Sequence, residues 1–205
     1  MHVRDISSKE APGDFLPLIV RLEPVLPLTD DQLYELSRIN RDLRMERNAR
    51  GELILMPPTG GETSERNAEI TMQLRLWSKG DGTGATFDSS GGFRLPNNAV
   101  RSPDAAWVEG SRLERLGKEE RKRFIPLCPD FVVELLSPTD HLDALKEKMR
   151  EYMDNGARLA WLIDPEQRRV YVYKSGALVE LLEEPETISG DAVLPGFVLD
   201  LREVW

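Results

Sequence analysis

The chain has 205 residues, 40% of them apolar and 31% charged, with a formal net charge of −9. That composition can fill one sizeable core, and its acidity argues against coating nucleic acid by charge alone, which needs a broad cationic face. A single cysteine, Cys128, excludes an internal disulfide and a cysteine-based zinc site, and the only histidines, His2 and His141, leave little for a multi-histidine metal centre.

Residues 1–28 carry prolines at 12, 17, 24 and 27 and read as an extended arm; residues 29–205 read as one domain. In TDDQLYELSRIN, Thr29 is the expected N-cap, and Leu33, Leu36 and Ile39 recur at helical spacing. GELILMP predicts a short strand stopped by Pro57 and Pro58. TSERNAEITMQLRLWSKGDG predicts a second helix with Ile70, Leu74 and Trp77 on one face. TFDSSGGFRLP and SPDAAWVEG are expected as neighbouring strands joined by the turn NNAV. Residues 111–123 form a polar, partly helical insertion.

PDFVVELLSP is the most apolar strand and is expected at the sheet centre. TDHLDALKEKMREYMDNG predicts an amphipathic helix, capped by Thr139 or Asp140, with Leu142, Leu145, Met149 and Tyr152 as its stripe. ARLAWLIDP and RRVYVYKSG predict two strands, and ALVELLEE and GFVLDLREVW are expected to close the sheet. This alternation predicts an α/β domain. No apolar run approaches the roughly 20 residues of a membrane span, and MHVRDISSKE lacks the pattern of a secretion signal. A cytoplasmic protein with no membrane partner is expected.

Two acids stand where apolar residues would be expected. Asp104 follows Pro103 and leads into Ala-Ala-Trp-Val; Glu134 lies between Val-Val and Leu-Leu. Side chains alternate faces along a strand, so Glu134 shares a face with Val132 and Leu136. A buried carboxylate must be neutral, paired or bound to a cation. A salt bridge to an arginine is the ordinary outcome for one acid. For two acids in adjacent strands, one divalent cation would neutralise both, and Mg2+ is often held by one or two carboxylates with water and phosphate completing its shell. The chemistry that suits such a pair, with a nearby ammonium, is metal-assisted phosphodiester hydrolysis.

Pro103-Asp104 with Glu134-Leu135-Leu136 resembles a variant of the PD-(D/E)XK nuclease signature. The blocks GELILMPPTGGETSERNAEI, FDSSGGFRLPNNAVRSPDAAWV, FVVELLSPTDHLDALKEKMREYMDNGARLAWLIDP and LPGFVLDLREVW are together similar to a large bacterial family of putative restriction endonucleases, from about residue 29 to the C-terminus. The resemblance implies a restriction-endonuclease-like fold, α+β, with a central mixed sheet flanked by helices. It implies Asp104 and Glu134 as ligands of Mg2+ or Mn2+, with the backbone carbonyl of Leu135 as a further one. The usual lysine two positions after the glutamate is Leu136 here, and family spacing moves that role to Lys148, with Lys146 as the fallback. Helical geometry alone leaves both open.

Glu46 and Glu62 are candidates for an additional acid, on the expectation of a glutamate from a first helix. Asn67, one turn before Ile70, could face the same cleft. Arg112, Arg115, Lys118, Arg121, Lys122 and Arg123 make the insertion locally basic and are the candidate nucleic-acid-facing rim beside Asp104. Pro129-Asp130 is a second Pro-Asp pair, read as a strand-opening turn. The leading expectation is a metal-dependent endonuclease acting on DNA, with a homodimer as one possible assembly. The alternative is a catalytically silent nuclease-fold scaffold that binds nucleic acid or protein. A glycosidase-like acid/base pair ranks below both, since no sugar cleft lined with exposed aromatics is indicated.

Overall fold

The computed structural model describes residues 17–205. In chain order the elements are β1 (Leu18–Val20), α1 (Asp30–Ile39), β2 (Arg44–Arg47), β3 (Leu53–Met56), α2 (Gly61–Asp81), β4 (Gly84–Asp88), β5 (Phe93–Arg94), β6 (Val100–Arg101), β7 (Ala105–Glu109) and α3 (Gly110–Glu114). They continue with β8 (Phe131–Leu135), α4 (Leu142–Asp154), β9 (Leu159–Asp164), β10 (Arg169–Lys174), β11 (Glu180–Glu183), β12 (Thr187–Ser189) and β13 (Val198–Asp200). No helix among the described residues is long and apolar enough to cross a membrane.

The main sheet has the order β11-β10-β9-β8-β7-β4. Only β8 and β9 are parallel, so the sheet is mixed, and α4 supplies the crossover that parallel neighbours require. β8, FVVEL, is buried along its whole length because both faces are covered. Val133, Leu135, Trp107 and Trp161 pack with Ile70 and Leu74 of α2 and with Phe197. Val132, Ala106 and Leu162 pack on the other face with Met149 and Tyr152 of α4. Thr29 caps α1 as its sequence predicts, in a reciprocal pair with Gln32. Gly82 ends α2 in the left-handed conformation (φ 74°), which glycine adopts without steric cost. Gly84 also lies so close to the Trp107 ring that a Cβ there would sit 2.4 Å from it.

Several expectations are corrected. TFDSSGGFRLP is not one strand: it turns at Ser89–Gly92, so β4 pairs with β7 while β5 pairs with β6 in a second sheet of order β1-β3-β2-β6-β5. GFVLDLREVW does not close the main sheet, because β13 pairs with β12 alone. The residue before α4 is His141 rather than Thr139 or Asp140; the Asp140 carboxylate is taken by Ser137. Of the arm expected over residues 1–28, residues 1–16 lie outside the described residues, while β1 pairs with β3. The second sheet contains a strand that its sequence, RMER, does not advertise: β2, which carries Arg44 and Glu46.

Candidate functional site

β7 and β8 run antiparallel, with Ala105 opposite Val133 and Ala106 opposite Val132. Continuing that register past the end of the ladder sets Asp104 across from Glu134 on one face, the face that α4 covers. Both carboxylates are buried, and both line a cleft of about 480 Å³. The cleft's other walls are Met56-Pro57-Pro58, the first turn of α2, and Ser137–Asp140 after β8.

The Asp104 carboxylate accepts the Leu135 N–H through Oδ2 at 2.9 Å, and its Oδ1 meets Nη1 of Arg44 at 3.3 Å. Beyond the last β7–β8 pair, the Leu135 carbonyl leaves the strand on the same edge as that N–H. Glu134 Oε1 accepts the Tyr152 hydroxyl at 2.8 Å and the Lys148 ammonium at 2.7 Å. Lys148 also reaches Glu46 Oε1 at 2.9 Å, and Glu46 Oε2 pairs with Arg101 at 3.0 Å. Arg101 in turn meets Glu151 at 2.6 Å. The result is a buried chain of alternating charge joining β2, β6, β8 and α4.

Burial pushes the Glu134 carboxyl up, and with Asp104 and Glu46 adding repulsion it reaches about 7 despite Lys148. Burial opposes ionisation of Glu46 as well, but Lys148 and Arg101 outweigh it and hold that carboxyl at about 2. Burial also works against the Lys148 charge; Glu134 and Glu46 overcome this and raise its pKa, so it remains an ammonium. Three cations, Arg44, Arg101 and Lys148, face four carboxylates, Glu46, Asp104, Glu134 and Glu151. Fully ionised, the network carries one excess negative charge beside the cleft.

Among the described residues no group of three or more His, Cys, Asp or Glu side chains gathers around one point. A metal here would therefore rest on two carboxylates and a main-chain oxygen. That hard oxygen set, open to a cleft, fits Mg2+ or Mn2+ with water or phosphate completing the shell.

The structure brings Lys148, not Lys146, to the acids: the Lys146 ammonium lies over the Tyr171 ring at 4.6 Å. Glu46 joins the site, but from strand β2 rather than from a helix. Glu62 is an exposed residue on the cleft rim, paired with Arg66 at 3.7 Å. Asn67 is half-buried and outside the cleft lining, with its Oδ1 buried and unpartnered.

The basic insertion is not beside Asp104. Arg112 follows the far end of β7, where it pairs with Asp130 at 2.8 Å. Lys122 pairs with Glu119 and Arg123 with Asp31, while Arg115, Lys118 and Arg121 are exposed. The antiparallel run of β7 separates the two ends by five residues, roughly 17 Å. Arg44, Arg101 and Glu151 are the site residues that sequence reasoning missed. The only sequence signal for Arg44 is the alternation Arg44-Met45-Glu46-Arg47, which sets Arg44 and Glu46 on one face of a strand; no local pattern singles out Arg101 or Glu151.

Residues 30–202 match the family described as "Uma2: Putative restriction endonuclease". The chain belongs to this family. The matched span includes Asp104, Glu134 and Lys148 together with Arg44 and Glu46. A crystal structure described as "a putative nuclease belonging to DUF820", from Anabaena variabilis, has a TM-score of 0.66, covering 78% of this chain and 88% of that one at 21% identity. At that identity the likeness shows a shared nuclease fold. No curated protein matches the chain.

Proposed function

We propose that this protein is a cytoplasmic, metal-dependent nuclease that hydrolyses phosphodiester bonds of DNA. The observation that carries the reading is the convergence of Asp104, Glu134 and Lys148 on one cleft, at the open end of the β7–β8 pair. Membership of the restriction-endonuclease family supports a nucleic-acid substrate.

Asp104, Glu134 and the Leu135 carbonyl would hold Mg2+ or Mn2+, which would polarise a phosphoryl oxygen and acidify bound water. The chain's own residues set the stage for that. The Leu135 N–H fixes the Asp104 carboxylate, and the Tyr152 hydroxyl fixes Glu134. Lys148, paired with Glu134 and Glu46, would set its ammonium beside the cleft to orient water or the phosphate. Glu46 holds Lys148 from the opposite side. The silent-scaffold alternative predicts no use for this charge balance.

Calorimetric titration of Mn2+ into the wild type and into Asp104→Asn/Glu134→Gln, with a plasmid-nicking assay beside it, tests the proposal. Saturable binding and nicking, both lost in the variant, are expected. Wild-type protein that neither binds metal nor nicks DNA would move the reading to the scaffold.

A further inference from the structure

Arg44 has no part in the chemistry above, and it differs from the other two cations of the network. Arg101 and Lys148 are each shared between two carboxylates and nearly enclosed, 10% and 11% exposed. The Arg44 side chain is 28% exposed and lines the cleft. Its one carboxylate contact, to Asp104 Oδ1, spans 3.3 Å, whereas the other pairs span 2.6–3.0 Å. Charge-assisted hydrogen bonds ordinarily run at about 2.7–2.9 Å, so this is the weakest link. Its Nε is buried with no partner among the described residues.

The oxygen that Arg44 holds is the less firmly held of the two Asp104 oxygens, and so the one a metal would take most readily. The Leu135 N–H takes Oδ2 of Asp104, which leaves Oδ1 toward the guanidinium. Two cations within a few ångström of one oxygen repel each other strongly in a partly buried site. We propose that Arg44 is the internal counter-ion of the metal site, occupying Asp104 Oδ1 until a divalent cation displaces it. The proposal rests on the metal-dependent reading above. Displacement need not unseat the arginine: Nη2 donates to the Ser102 carbonyl at 2.8 Å and can serve as a pivot, with the cleft beside it. Metal affinity in the absence of nucleic acid is thereby held low, because each binding event must break this pair.

The test is calorimetric titration of Mn2+ alone into the wild type, Arg44→Met and Arg44→Gln, with Asp104→Asn as the reference and thermal unfolding to confirm that each variant folds. Removing the competing charge is expected to tighten Mn2+ binding by about tenfold or more in both Arg44 variants. Binding by the Arg44 variants where the wild type shows none would be the strongest form of the same result. Wild-type binding that Asp104→Asn abolishes, with folded Arg44 variants binding no tighter, overturns the counter-ion proposal and leaves the metal site standing. Failure of every protein to bind overturns both.

Discussion

The same dipeptide stands at opposite ends of one strand pair: Pro103-Asp104 enters β7 and Pro129-Asp130 enters β8. Both aspartates are buried. Asp130 is closed by its own chain, accepting the Glu109 N–H at 2.9 Å and pairing with Arg112 at 2.8 Å, with Arg158 at 3.9 Å. Asp104 has one oxygen satisfied by a main-chain N–H and the other lightly held by a cation at the edge of a cleft, with a second acid across from it. Burial therefore does not tell the two aspartates apart. A like-charged neighbour and an incompletely held oxygen beside a cleft do, and they are what makes Asp104 the candidate.

The largest expected effect tests how far the open end depends on its own ion pairs. Glu46→Gln takes from Arg101 and Lys148 one of the two carboxylates that hold each of them, and with it two charge-assisted hydrogen bonds in a buried setting, and should cost about 3 kcal/mol or more in urea unfolding at neutral pH. The pH dependence carries the same signature. The Glu46 carboxyl is held at about 2 in the folded protein against an ordinary 4.5, so its contribution is present above 4.5 and is lost as pH falls toward 2. Wild-type stability should drop across that window, and the gap to Glu46→Gln should narrow. A constant gap would mean that Glu46 does not titrate there.

A smaller effect separates the two aspartates. Asp130→Ala should cost about 2–3 kcal/mol, since it strips the Glu109 N–H and Arg112 of their acceptor, yet leave Mn2+ binding intact. Asp104→Asn should do the reverse. Its amide oxygen can still accept the Leu135 N–H, and relief of the repulsion with Glu134 offsets the loss of the long contact to the part-exposed Arg44, so the stability change should stay within about 1 kcal/mol, while metal binding disappears. Loss of metal binding in both variants would erase the distinction between the ends.

The smallest expected effect is an absence of reaction at the closed end. Burial pushes the Cys128 thiol up to about 12, so native protein should resist a thiol reagent at pH 8. Asp130→Ala should admit it, as the packing around the strand entry loosens. Rapid labelling of the wild type would contradict the closed packing.

The candidate acids were legible in the chain, Asp104 before a strand and Glu134 inside the most apolar strand, whereas Lys148 was preferred to Lys146 only through the family resemblance. Period-2 and period-3.6 patterns are local, so β8, β9, β10 and α4 could be read directly. β2 could not, because four residues that are mostly charged carry no apolar alternation. The basic insertion's position, by contrast, was readable and was misjudged: the extended run from Ala105 to Glu109 carries the residues after it roughly 17 Å from Asp104, whatever the strand pairs with.

By itself, then, the sequence determined which residues could hold a metal and which helix could bring an ammonium to them, because strand and helix periodicity fix the faces those residues occupy. Only the tertiary structure decided their partners. Arg44 meets Asp104 across 60 positions and Lys148 meets Glu46 across 102. Coulombic contacts at that separation are set by how two sheets and a helix pack together, and no local spacing encodes that packing.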